Sequence, residues 1–325
     1  MPMPEHPPEA RADLPPLPPA FDTLLRAVIS PEWLPVVEAS YTAPKAVVFR
    51  VNPLRLSDVE PALAALAPLQ PQPIAGAPGV YRVAAEHRAT LTHHPLASDG
   101  SFYIQGIASM AAVWALDPQP GEEVLDLAAA PGGKTALIAA CMRNQGRIAA
   151  VEPVRARFFR LKANLQRLGV RNAQLYLKDG CQVGRVVPSR FDRVLLDAPC
   201  SSEAQFTRLD PASWAHWSPK KVRASAMLQA RLLRSAADAV KPGGVLVYST
   251  CSLSPEENEE VLDGLLRERD DLIPEPLPWL VDIPAQPGLT AWNGRTLHPG
   301  LSLARRIVPT DWSDAFFLCR LRRQA

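Results

Sequence analysis

Two cysteines follow short apolar runs in the same way. In Leu195-Leu-Asp-Ala-Pro-Cys200-Ser-Ser one thiol comes just past a strand-like segment, and in Val247-Tyr-Ser-Thr-Cys251-Ser so does another. If the two runs are neighbouring strands, about 5 Å apart, both thiols face one crevice. Such a pair has a chemical use. Carbon 5 of a pyrimidine is a poor nucleophile. A thiolate that adds to carbon 6 turns the ring into an enamine able to attack an electrophilic methyl group, so one hard step becomes two easier ones. One cysteine would be the nucleophile and the second would help release the product. Asp197 beside them can hydrogen-bond the base edge at N3 or N4. The residues alone do not say which thiol attacks. Lys134, helix N-termini and a sulfonium donor are sources of the positive potential a thiolate needs. Cys141, Cys181 and Cys319 lack this setting and read as small buried hydrophobes.

A methyl donor needs a cradle, and the stretch Val124-Leu-Asp-Leu-Ala-Ala-Ala-Pro-Gly-Gly-Lys-Thr135 offers one. A hydrophobic strand runs into small residues that allow close backbone approach, and then into a helix whose N-terminus favours an anionic group. The ending Gly133-Lys134-Thr135 also suggests a P-loop, but that motif requires glycine where this chain has Ala128. S-adenosyl-L-methionine (SAM) as the ligand fits better. Glu152, ending the next strand, is placed to accept ribose hydroxyls. Asp179, ending the third, is placed to reach an adenine amino group. The expected cofactor residues are Ala128, Ala129, Ala130, Pro131, Gly132, Gly133, Lys134, Glu152, Asp179 and Asp197. No metal ligand set is expected, since no C-x-x-C pair occurs.

These residues need elements to hold them. Residues 1–20 are rich in Pro, Ala and acidic residues and are expected to form a disordered arm. Residues 21–100 read as a small α+β unit. It opens with a helix carrying Phe21, Leu24, Leu25, Val28 and Ile29 on one face, and includes the strand Ala46 to Val51, a helix from Ser57 to Leu66 and strand-like pieces at Val80 to Val83. From residue 101 to 325 strands and helices alternate. Strands are expected at Glu123 to Leu127, Arg147 to Val151, Gln174 to Leu177, Arg193 to Leu196, Val245 to Tyr248 and Ala315 to Leu321. Helices are expected at Ile107 to Leu116, Thr135 to Met142, Ala156 to Leu168, Ser225 to Val240 and Pro255 to Arg267. This rhythm predicts an α/β fold, a doubly wound, mostly parallel Rossmann-like sheet with helices on both faces.

The bulk numbers agree with this. The chain has 325 residues, 47% hydrophobic, so it can bury a sizeable core. Lys+Arg 35 against Asp+Glu 33 gives a net charge of +2. A nucleic-acid partner must therefore be held by local clusters rather than a global field. Five cysteines, an odd number, argue against a disulfide framework and fit a reducing cytoplasm. No signal-peptide core and no bilayer-length apolar stretch is visible. A cytoplasmic monomer is expected.

With these motifs on the page, the chain resembles the RNA cytosine-5 methyltransferase family of the Nop/Sun type, from about Phe21 to the C-terminus. Asp126 to Thr135 matches the family's SAM loop. Asp197-Ala-Pro-Cys200 matches its Pro-Cys motif, and Ser249-Thr-Cys251-Ser with Glu257-Asn-Glu259 its Thr-Cys motif. Phe49-Arg-Val-Asn-Pro53 is similar to the Arg-Val-Asn of its small RNA-binding-like subdomain. The resemblance implies that Cys251 is the nucleophile bonding carbon 6 and that Cys200 assists resolution of the adduct. It further implies that SAM is the cofactor and rRNA or tRNA the substrate. Two positions depart from the pattern. Ser202 stands where the family often has glycine, and Ala315 precedes Phe316-Phe317 where it often has Gly-Phe-Phe. No additional N-terminal or C-terminal RNA module is recognisable.

Basic clusters are candidate phosphate contacts. One comprises Arg155, Arg157, Arg160, Lys162 and Arg167 on one helix, another Lys220, Lys221 and Arg223 after Cys200, and a third Arg305 with Arg306. Trp214 and Trp217 flank the second and read as core more readily than as stacking platforms. The rival readings are a non-catalytic RNA-binding ribosome assembly factor keeping this fold, a DNA cytosine-5 methyltransferase and an amino-group methyltransferase. The intact acids and paired thiols weigh against the first and last.

Overall fold

The computed structural model describes residues 14–277 and 283–325. The expected disordered arm therefore lies mostly outside the described residues. Its end does not: the Leu14 and Pro15 carbonyls accept hydrogen bonds from Arg208, and helix begins at Pro19.

A single large sheet organises the chain from Glu123 onward. From one edge its order is Ala173–Tyr176, Arg147–Val151, Glu123–Asp126, Phe191–Asp197 and Val240–Thr250, all parallel. Chain order reverses between Glu123–Asp126 and Phe191–Asp197, so the crevice beyond their C-terminal ends is the expected ligand site of a doubly wound sheet. Successive residues alternate between two cores, as strand geometry requires. Val124, Leu195, Val245 and Val247 pack under helices Ile107–Leu116 and Gly133–Cys141. Leu125, Val194, Leu196 and Leu246 face helices Pro219–Ala239 and Glu259–Glu268. The helix expected from Ser225 starts earlier because Ser218 caps it, accepting from the Lys221 N–H, with Pro219 in its first turn. The helix expected from Pro255 starts only at Glu259, because Asn258 is diverted to bind Thr250 and the Ser252 carbonyl.

The strand expected at Ala315 to Leu321 is present as Phe316–Arg323, but the antiparallel extension built on it was not expected. Phe316–Arg323 pairs antiparallel with Val240–Thr250 and carries Arg305–Ile307 on its far side, with Ala285–Pro287 beyond; Leu272–Glu275 also pairs with it. The three strands added around Phe316–Arg323 are only three or four residues long and hold prolines or arginines, so they show no alternating apolar signal.

The small N-terminal sheet has the order Gln72–Pro73, Val80–Val83, Val47–Val51, Phe102–Ile104. Its last strand lies past residue 100, so this unit reaches Ile104. The first two helices, Pro19–Val28 and Leu34–Ser40, do not join that sheet's core. Phe21, Leu25, Val37 and Tyr41 pack instead on Ala204, Phe206, Leu253 and Val308, against the two cysteine loops. The helix expected from Ser57 begins at Glu60.

Candidate active site

The loop after Glu123–Asp126 is fixed from both sides. The Leu127 N–H donates to the Leu195 carbonyl and the Ala129 N–H to that of Val151. Gly132 has φ +106, and a Cβ there would stand 2.9 Å from Leu161 Cδ1; a Cβ on Gly133 would stand 2.8 Å from the Tyr103 ring. Both glycines are thus demanded by packing, the first also by its left-handed backbone. The loop borders a cavity of about 230 Å³ lined by Tyr103, Gln105, Gly106, Asp126, Ala128, Ala129, Ala130, Pro131, Gly133, Lys134 and Asp197 among others.

Most of the expected cofactor residues thus share one cavity, and three do not. Gly132 faces Leu161. Glu152, buried, accepts from the Val154 N–H at 2.8 Å and lies 3.6 Å from Arg157 Nε. Asp179 accepts from the Cys181 N–H at 2.9 Å and borders a separate, largely apolar cavity of about 570 Å³ beside the sheet edge.

Asp126 is the residue that sequence reasoning overlooked. Its Oδ2 accepts from Thr135 Oγ1 at 2.6 Å, while Oδ1 is buried without a hydrogen-bond partner. Burial raises this carboxyl to about 6. An unsatisfied buried acceptor on a cavity wall is a binding group awaiting a donor. Gln105 Nε2, also unpartnered, borders the same cavity, while its Oε1 accepts from Arg50 Nε.

Asp197 joins this cavity to the thiols. Its Oδ2 lies 2.7 Å from Lys134 Nζ and its Oδ1 accepts from Ser249 Oγ at 3.0 Å. Lys134, expected to polarise a thiol, is therefore spent first on Asp197. Three residues past Asp197 is Cys200, and two past Ser249 is Cys251. Their sulfurs are 2.8 Å apart. The hydrogen bond to Cys251, together with burial and the negative charge of Glu257, pushes the Cys200 thiol well above its ordinary value. A thiol raised in this way is less available as an attacking thiolate, which sets Cys200 apart from its neighbour. Burial also raises Cys141, Cys181 and Cys319.

Two buried carboxylates clamp the cysteine loops together. Glu203 accepts from Ser252 Oγ, the Leu253 and Ser254 N–H groups, Ser254 Oγ and Trp217 Nε1. Glu257 accepts from the Ser201 N–H, Ser252 Oγ and Gln229 Nε2. Glu203, which follows the departure at Ser202, is thus turned inward onto the loop of Cys251. Trp217 serves as one of its donors, in keeping with the core reading.

Ser202 itself has φ +66, a left-handed conformation that glycine adopts freely. Ser202→Gly is expected to raise stability by about 0.5–1 kcal/mol. A urea titration at unchanged slope checks this, and an unchanged or lowered midpoint would refute the strain assigned to Ser202.

One expected phosphate contact is excluded by burial. Arg306 is 1% exposed and forms a doubly bonded ion pair with Glu259. Arg157 turns partly inward, donating to the Ala130 carbonyl at 3.0 Å. Lys220, Lys221 and Arg223 remain exposed on their helix.

A doubly wound sheet with a glycine-bearing cradle at its switch point and a thiol pair at the next strand ends defines a methyltransferase-type domain. A methyltransferase homolog protein from Pyrococcus horikoshii shares it at TM-score 0.77 and 33% identity, over 94% of this chain and 100% of that one. NSun6 from the same organism shares the fold at TM-score 0.79 and 22% identity, over 95% of this chain and 98% of that one. Residues 113–322 match the family described as 16S rRNA methyltransferase RsmB/F, and the chain belongs to that family. It is 44% identical over 228 residues to ribosomal RNA small subunit methyltransferase F of Serratia proteamaculans, covering 69% of this chain and 45% of that protein. It is 42% identical over 221 residues to the tRNA (cytosine(49)-C(5))-methyltransferase of Pyrococcus abyssi, covering 67% of this chain and 69% of the relative. The chain thus spans about half the length of the first of these relatives. Among the described residues no helix is long and apolar enough to cross a membrane.

Proposed function

We propose that this chain is a SAM-dependent RNA (cytosine-5)-methyltransferase acting on rRNA or tRNA, with Cys251 as nucleophile and Cys200 as the group that assists release. The observation that carries the reading is the pair of sulfurs 2.8 Å apart at the ends of adjacent parallel strands. They adjoin, through Ser249 and Asp197, a cavity built from the glycine loop. Both family membership and relatives named as cytosine-5 methyltransferases support it.

The residues present fit SAM. The unpartnered Asp126 Oδ1 suits the ammonium of its methionyl part, and the loop from Ala128 to Lys134 gives the close backbone approach a zwitterion needs. Glu152 and Asp179 are assigned the ribose and adenine sides. When bound, SAM supplies an electrophilic methyl group. The protein's own work is on the base. Asp197, held by Lys134 and Ser249, faces the cavity and orients the cytosine edge. Cys251 adds to carbon 6, which makes carbon 5 nucleophilic. Once carbon 5 carries its methyl group, its proton passes to Cys200 acting as base in its thiolate form, and the carbon–hydrogen electron pair re-forms the carbon 5–carbon 6 double bond. The carbon 6–sulfur bond then breaks, returning its electron pair to Cys251. A cytosine within a helix must first leave the stack.

Incubating the protein with labelled SAM and RNA, then mapping label to carbon 5 of cytosine, tests the reading. Normal SAM binding with no transfer to any RNA would instead favour the assembly-factor alternative.

The Asp126 assignment has a pH signature. An ammonium pairs with the ionised carboxylate, so SAM affinity should fall as pH drops through about 6, where burial places this group. Asp126→Asn should weaken SAM binding roughly tenfold and flatten that dependence. Calorimetry with SAM alone at several pH values checks both, and an affinity insensitive to the substitution removes Asp126 from the site.

A further inference from the structure

A separate cavity of about 350 Å³ opens where the N-terminal unit meets the segment after Cys200. This is within the size range of small-ligand sites, roughly 300–1,000 Å³. Pro44, Lys45 and Arg88 line it from the N-terminal side, Ala204 and Gln205 from the cysteine-loop side, and Asp314 also lines it, paired with Lys45. The Ala204 N–H donates to the Cys251 carbonyl at 3.0 Å, so this wall is one hydrogen bond from the nucleophile's backbone. On the other flank, Asp314 Oδ2 lies 3.4 Å from where a Gly106 Cβ would stand, and Gly106 borders the loop cavity. The cleft therefore runs alongside both reacting partners and contains neither.

Its lining combines cations, small apolar groups and one side-chain amide. Lys45 Nζ is 2.8 Å from Asp314 Oδ1 and 3.3 Å from the Ser313 carbonyl. The Arg88 guanidinium and the Gln205 amide are exposed and make no side-chain hydrogen bond among the described residues. Two cations thus face a cleft whose one carboxylate already has a partner that can leave it. Pro44 and Ala204 give flat apolar walls, and Gln205 offers both a donor and an acceptor to a base edge. An RNA strand delivering a base to Cys251 must lay its next phosphate against a neighbouring surface. This is the cationic cleft that shares a wall with the Cys251 loop.

We propose that this cleft seats the nucleotide adjacent to the target cytosine, with its phosphate held by Lys45 and Arg88 and its base lying between Pro44 and the Ala204–Gln205 wall. The proposal rests on the RNA methyltransferase reading and extends it to how the strand is held.

The test uses the full chain, SAM and total RNA from cells lacking the gene. The Lys45→Ala, Arg88→Ala double variant should raise the KM for RNA roughly tenfold and flatten its salt dependence by about one logarithmic unit per unit log salt. It should retain kcat at saturating RNA and the affinity for SAM alone. Asp314→Ala frees Lys45 and should lower the KM, an opposite shift that a loss of folding cannot produce. An unchanged KM and salt slope in the double variant, or a KM raised by Asp314→Ala, overturns the assignment. Wild-type protein that binds SAM yet methylates none of this RNA overturns the enzymatic reading, and this one with it.

Discussion

Cys251→Ala is expected to abolish methyl transfer, by about 10⁴-fold or more, and to form no covalent complex with RNA. Cys200→Ala is expected to stop turnover while accumulating a protein–RNA adduct that survives denaturing electrophoresis. The two thiols sit on equivalent strand ends, so residue order leaves them interchangeable. Their surroundings do not. The contact with Cys251, burial and the nearby Glu257 carboxylate together hold the Cys200 thiol well above its ordinary value. The thiolate is the attacking form of a cysteine, so a thiol raised in this way is the poorer candidate for attack. Removing Cys200 therefore leaves an intact nucleophile without the partner that helps the carbon 5 proton depart, and the reaction halts after attack. Removing Cys251 leaves no sulfur placed to attack. Denaturing gels of each variant with SAM and RNA read this directly. Capture by Cys251→Ala rather than by Cys200→Ala would exchange the two roles, and capture by neither would refute the covalent route.

How much of this was legible in the sequence varies with the range of the interactions involved. The glycine loop and both cysteine turns are local signals: an apolar strand, a turn, then small or polar residues. The structure brings Asp197, Lys134 and both thiols together as expected. The amphipathic face of Phe21, Leu25 and Val28 was equally plain, yet nothing local says that it packs on the cysteine loops rather than on the small sheet. Asp126 hid inside the strand that announced the loop; a carboxylate within an apolar run was the available signal. Glu203 appeared as one more loop charge, and its inward turn depends on amides fifty or so residues away in the Cys251 loop. The Arg305-Arg306 pair shows the limit most clearly. Neighbouring strand residues point to opposite faces, so only one of the two can be outside. Which one depends on pairing with Phe316–Arg323, a register that no local pattern encodes.

Because Arg306 took the inner side, its replacement should be costly for stability rather than for RNA affinity. The guanidinium binds both oxygens of Glu259 and donates to the Leu253 carbonyl at 2.8 Å. Glu259 Oε1 also accepts from the Leu289 N–H at 3.0 Å. Both side chains are essentially excluded from water, at 2% and 0% exposure. Arg306→Ala leaves Glu259 as an uncompensated buried charge and strips the Leu253 carbonyl of its donor. Breaking such a pair from one side costs about 3–5 kcal/mol. Replacing both partners by apolar residues of similar size, Arg306→Met with Glu259→Leu, removes the stranded charge and should recover much of that loss. The thermal or urea midpoint of the single and double variants measures the difference. Leu253 lies two residues past Cys251, so the single variant should also loosen the nucleophile loop and lower kcat in whatever fraction remains folded. A single variant within 1 kcal/mol of wild type, with a reduced salt slope for RNA binding, would return Arg306 to the surface and to the phosphate-contact reading that its burial excludes.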